Sequence, residues 1–184
     1  EGRLGLAETK CRAFLKQKPT HTYAMSLLAE IANRLGYFDD AEFLLKKAVE
    51  FKPNDGELRL KYAGILRKKQ KFSQTMEQVN ILCDQYPDNL NYQAHKASEI
   101  MQNGGHEEAV SLLNDILIKN PFNFSVLTSR GHAQKTLGKT EEAIKSYQSA
   151  YKVKLDHGEA YFSLSNLKTY IFSKEELDEM RSQV

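Results

Sequence analysis

Small and apolar residues recur along this chain every 34 residues, within stretches whose apolar positions fall at the i, i+4 and i+7 spacing of one helix face. Proline keeps the same interval: Pro19, Pro53, Pro87 and Pro121, with Leu155 at the next place in the series. With proline set at position 32, the chain reads as a single domain of four whole repeats, 22–55, 56–89, 90–123 and 124–157. Residues 1–21 supply the second half of an earlier repeat, and 158–184 begin a further, truncated hairpin. Position 8 carries Ala29, Ala63, Ala97, Gly131 and Ser165, and position 20 carries Ala7, Ala41, Thr75, Ala109 and Ala143. Position 24 reads Cys11, Leu45, Val79, Leu113 and Tyr147, and position 27 reads Phe14, Ala48, Leu82, Ile116 and Ala150. Two helices whose axes lie about 8–10 Å apart need small side chains where they cross and larger ones beside the crossing. The pattern therefore predicts paired helices of about 14 residues, each about 21 Å long at 1.5 Å per residue.

The punctuation agrees. Gly36, Gly104, Gly105 and Gly138 fall between the two predicted helices of a pair, where a left-handed C-cap belongs. Proline at position 32 ends the second helix, because it cannot continue the hydrogen-bond ladder. Thr140 before Glu141 and Glu142 is expected to be an N-cap with an acidic first turn. Ser173 with Glu176 three residues on is expected to form a capping box that opens one more helix.

The period, the small residues at positions 8 and 20 and the proline at 32 resemble the tetratricopeptide repeat. That resemblance implies an all-α solenoid of helical hairpins wound as a right-handed superhelix, whose units gain stability by stacking on their neighbours. It also implies a concave groove lined by the first helix of each hairpin. The expected lining is Tyr23, Asn33, Lys61, Asn91 and His95, continuing through Ser125, Thr128, His132 and Asn166. Such a mixed polar groove suits an extended peptide. Grooves of this kind that hold a C-terminal carboxylate use Lys and Asn at set positions; here position 5 reads Ser26, Leu60, Ala94 and Thr128, and position 9 reads Glu30, Gly64, Ser98 and His132. The pairing that a carboxylate clamp needs is missing.

Charge narrows the partners. The 26 basic and 24 acidic side chains leave +2, so nothing global calls for nucleic acid or a membrane surface. The longest stretch without a formal charge, Pro19 to Ala29, is 11 residues, well short of the roughly 18 a membrane span requires. One local run stands out: Arg59, Lys61, Arg67, Lys68, Lys69 and Lys71 against Glu57. It reads either as a solvated face or as a dock for an acidic peptide or domain. Cys11 and Cys83 match no metal or redox spacing and are expected to be reduced core thiols in a cytoplasmic protein. No glycine-rich phosphate loop, zinc spacing or nucleophile elbow is present, so no catalytic, cofactor or metal site is assigned. Among the five histidines, His95 and His132 fall at groove positions 6 and 9 of neighbouring repeats, and contact with a partner is the expected role rather than metal ligation.

The last third departs from a generic repeat. Residues 131–138 read Gly-His-Ala-Gln-Lys-Thr-Leu-Gly, and 158–173 include the string Asn166-Leu167-Lys168-Thr169. Together these resemble the junction of bacterial sulfotransferases in which a tetratricopeptide array precedes the enzyme domain. In that family the sulfate donor PAPS is bound by the C-terminal domain, so the resemblance implies a non-catalytic N-terminal arm that presents an acceptor or mediates assembly. The opening Glu-Gly-Arg without Met fits a fragment of something longer. If an enzyme domain docks at the C-terminal end, Tyr161, Leu164, Leu167 and Phe172 are expected to form an exposed apolar face. The alternative is a free-standing adaptor that binds an extended peptide in its groove.

Overall fold

The computed structural model describes residues 2–167 and 169–182, and all of their regular structure is helical. Eleven helices occur among them: α1 Gly2–Gln17, α2 Thr22–Arg34, α3 Phe38–Phe51, α4 Gly56–Lys68, α5 Phe72–Gln85, α6 Leu90–Gln102, α7 His106–Lys119, α8 Phe124–Thr136, α9 Thr140–Val153, α10 Gly158–Ser165 and α11 Lys174–Arg181. From α2 on, the even-numbered helices begin on the first residue of a 34-residue repeat and the odd-numbered helices on the seventeenth. The repeat register read from the sequence is therefore the register of the helices. Among the described residues no helix is long and apolar enough to cross a membrane.

Capping explains why the starts are so regular. The residue before the first helix of each whole repeat is His21, Asp55, Asn89 or Asn123, and its side chain accepts the backbone N–H three residues on: Ala24 at 3.1 Å, Leu58 at 3.1 Å, Tyr92 at 3.3 Å and Val126 at 3.1 Å; His157, before α10, makes no such bond. Each bond satisfies one of the donors a helix start leaves open. The second helices of the whole repeats, α3, α5, α7 and α9, lack such caps: Tyr37, Lys71, Gly105 and Lys139 precede them without a side-chain bond. Thr140, expected to be an N-cap, is instead the first helical residue of α9, with Lys139 at the cap.

The turns inside the hairpins share one geometry. Gly36, Gly104 and Gly138 have φ of +83°, +85° and +75°, and Gln70 takes +57° at the equivalent place. The residue after each donates its N–H five residues back: Tyr37 to Ala32, Lys71 to Leu66, Gly105 to Ile100 and Lys139 to Gln134, at 2.8–3.0 Å. This is the Schellman closure, which returns the chain antiparallel and satisfies the last carbonyls of the first helix. Gly105 lies one residue past the left-handed position.

The chain separates into two compact units, residues 1–92 and 93–184. In the first, the crossing positions Ala29, Ala41, Ala48 and Ala63 are buried between Leu45, Leu58, Ile65 and Leu66. Phe14 does not join them; it remains 38% exposed at the position where Ala48 is buried, with its ring edge-on to His21. In the second unit Ala97, Ala109, Ala143, Leu113, Ile116 and Ala150 are buried as the pattern requires. Tyr147, large for its position, is fully buried because it lies against Gly131, where a Cβ would come within 2.5 Å of the phenol ring. A large side chain on one helix is thus matched by the loss of one on the other. Cys11 is buried and Cys83 half-buried, and neither is in a disulfide.

Candidate functional site

The first helices carry the candidate groove, and each unit presents its own part. In the first unit α2 and α4 bound a cleft of about 370 Å³. Its floor is apolar, made by Ala29, Leu45 and Ile65, and its walls are Glu30, Asn33 and Arg34 from α2 with Lys61, Arg67 and Lys68 from α4. Two predicted groove residues, Asn33 and Lys61, thus line it. Bonds between the helices fix the walls: Lys68 Nζ donates to Asn33 Oδ1 at 2.8 Å, and Lys61 Nζ to Ser26 Oγ at 3.3 Å. Lys61 also pairs with Glu57 at 3.1 Å, and Arg34 with Glu30 at 2.8 Å. Tyr23, on the same face of α2 at i−3 from Ser26, is 72% exposed. Asn91, at the start of α6, is exposed.

The basic run divides once its neighbours are seen. Arg59 is buried, donating to Gln78 Oε1 at 2.6 Å and to the Pro53 carbonyl at 2.8 Å. Lys69 binds Asp39 and Glu42, and Lys71 reaches Glu42 at 2.6 Å. Partial burial pushes the Glu42 carboxyl up, but hydrogen bonds from the two lysines outweigh it and leave the group below its ordinary value. Arg59, Lys69 and Lys71 are therefore structural. Lys61 and Lys68 stand in the wall of the cleft, which Arg67 also lines.

In the second unit His132 lies between Tyr147, whose hydroxyl is 3.0 Å from Nδ1, and Glu159, 3.2 Å from Nε2. Burial pushes the Tyr147 phenol up to about 12, so it stays a proton donor. Both ring nitrogens of His132 are thus engaged within the second unit. Among the described residues no group of three or more His, Cys, Asp or Glu is placed to hold a metal ion. His95 and Ser125 are exposed. Thr128 is not part of a groove: it is 2% exposed, donating to the Phe124 carbonyl at 2.9 Å with its hydroxyl 2.8 Å from His157 Nε2. A threonine on a helix interior can bond back to the i−4 carbonyl, and the neighbouring helix start then covers it. Asn166 is exposed but caps the end of α10, which stops after eight residues.

The C-terminal face also differs from expectation. Leu164 and Leu167 are buried, Tyr161 stacks on Tyr151 at 4.6 Å, and Phe172 is half-buried against Tyr170. The expected apolar docking face is thus in part internal, Leu164 and Leu167 being covered where the segment after α10 folds back on α9, whereas Phe162 and Ile171 at the same end are exposed. Ser173 and Glu176 form the capping box, Ser173 N donating to Oε2 at 2.9 Å and Glu176 N to Ser173 Oγ at 3.2 Å. The other oxygen of Glu176 accepts from the Tyr151 hydroxyl at 2.7 Å and from Tyr170. Lys168, in the string that carries the sulfotransferase resemblance, lies outside the described residues.

Residues 22–55 and 124–157 match the tetratricopeptide repeat family, within the bounds that the period sets for the first and fourth whole repeats. The tetratricopeptide repeat-containing protein trd-1 of Caenorhabditis elegans is 27% identical over 134 residues. That match covers 72% of this chain and 16% of trd-1, so the chain spans a small part of that relative. Among solved structures, MamA superposes with a TM-score of 0.73 at 16% identity, covering 86% of this chain and 92% of its own. YrrB, described as a tetratricopeptide repeat protein with an unusual peptide-binding site, gives 0.70 at 14% identity, covering 88% and 84%. TTC0263 of Thermus thermophilus gives 0.70 at 16%, covering 90% of each chain. At these identities the likeness is one of fold, and the fold is a tetratricopeptide-repeat solenoid.

Proposed function

We propose that this tetratricopeptide-repeat chain is a protein-interaction module that receives an extended peptide on the first-helix face of its N-terminal unit. The observation that carries this reading is the cleft between α2 and α4, apolar at its floor and polar at its walls, with Tyr23 exposed on the same face. Concave sites of that composition bury a ligand's apolar groups while a few placed polar groups set its orientation. A role as scaffold in a cytoplasmic assembly belongs to the same proposal. Attachment to a PAPS-dependent sulfotransferase domain rests on the resemblance of residues 131–138 and 158–173 alone, because Leu164 and Leu167 of the face expected to dock it are buried.

Panning a random dodecapeptide phage library against the chain tests this reading. Recovered peptides are expected to bind at least tenfold more weakly to the double variant Tyr23→Ala, Asn33→Ala, a loss of about 1.4 kcal/mol or more. Phe122→Ala, in the second unit, is expected to leave binding unchanged. Equal binding by all three proteins would place the site elsewhere.

A further inference from the structure

We infer that the α2–α4 cleft selects acidic peptides and that Gly64 admits their backbone; the inference rests on the module reading above and names the chemistry of its partner. Two observations carry it.

The first is charge. Arg34, Lys61 and Lys68 line the cleft against one lining carboxylate, Glu30, and Glu57 at the rim raises the acidic groups to two. Arg34 is paired with Glu30 and Lys61 with Glu57, whereas Lys68 meets neutral groups, Asn33 Oδ1 at 2.8 Å and the Phe38 ring at 5.7 Å. The cleft keeps a net positive charge over an apolar floor, so a peptide carboxylate entering it meets complementary field and donors.

The second is Gly64. It lies inside α4 and lines the cleft, and a Cβ built there would meet nothing within 4 Å. Packing therefore does not ask for glycine, and helix propensity disfavours it. The contrast with Gly131 is direct, since a Cβ there would strike Tyr147. At position 9 the other repeats carry Glu30, Ser98, His132 and Asn166, all of which project side chains. Glycine at this one position opens the cleft beside Lys61 and Lys68 for the close approach of another backbone.

The probe is the random dodecapeptide library. Peptides recovered by the wild-type chain are expected to be enriched in Asp and Glu over the naive library, and their affinity to fall as salt rises. Gly64→Ala is expected to raise the melting temperature or leave it unchanged while weakening those peptides at least tenfold, a separation that a merely structural glycine would not give. Lys68→Glu is expected to weaken them by a similar factor. Recovered peptides without acidic enrichment, or Gly64→Ala binding as well as wild type, would overturn this inference and leave the module reading standing. An empty selection would overturn both. Preferential binding of a twenty-residue oligothymidine strand would show a nucleic-acid groove instead and overturn the peptide assignment.

Discussion

Position 15 of each repeat is where the backbone must turn left-handed, and three of the four whole repeats supply glycine there. The fourth supplies Gln70, at φ +57°. A residue with a Cβ held in that region costs about 1–2 kcal/mol relative to right-handed backbone, and glycine recovers that cost less the entropy it loses from a freer unfolded chain. Gln70→Gly is therefore expected to stabilise the chain by about 0.5–1 kcal/mol, read as a higher urea midpoint with an unchanged m value. A lower midpoint would mean that the Gln70 side chain holds the turn through contacts worth more than the backbone penalty. The same hydrogen-bond closure at all four turns is the reason an isolated glutamine can be forced into the glycine conformation.

At the scale of the element, the last helix depends on one carboxylate. Glu176 caps its own helix through Ser173 and reaches Tyr170 and, on α9, Gln148 and Tyr151, so its carboxylate ties α11 to α9. Burial pushes its carboxyl up, but the hydroxyl and backbone donors outweigh that and hold it below its ordinary value of 4.5. Burial, with the bond to Glu176, pushes Tyr170 up to about 12. A carboxyl depressed in the folded state contributes stability that is present above its unfolded value and lost as pH falls through the folded one. Backbone amides of residues 173–181 are accordingly expected to lose hydrogen-exchange protection below about pH 4.5, before those of α9. Glu176→Gln is expected to remove most of that pH dependence and to cost about 1–3 kcal/mol of local stability at pH 7. Protection that is unchanged in Glu176→Gln would show that α11 is held by its apolar contacts.

For the molecule as a whole, what was legible in the sequence was whatever repeats. Prolines and crossing alanines recur every 34 residues because each hairpin meets the same packing problem, so helix number, register and the buried stripe could be read directly. Caps at position 34 repeat as well, but as His21, Asp55, Asn89 and Asn123, a set alike in accepting a hydrogen bond rather than in residue type. The site was harder to read because groove positions are defined by departures from the repeat. Thr128 occupies a groove register yet is covered by His157, and Asn166 is removed from one by the early end of α10. Leu164 and Leu167 looked like an open end because a stripe that should meet a further hairpin instead meets the chain folding back on itself. The basic run likewise split only when Asp39 and Glu42 were seen to take up Lys69 and Lys71. Gly64 was visible in the sequence as a missing side chain, and only its open surroundings turn that into an entrance.

The first-helix face of the N-terminal unit is the surface proposed to receive partners. Amide chemical-shift mapping with a peptide recovered from the library tests it most directly. The largest perturbations are expected on Ser26, Asn33, Lys61, Gly64 and Lys68, with Leu45 of the floor affected and α5 little changed. Perturbations centred on α3 and α5, or on the C-terminal unit, would contradict it.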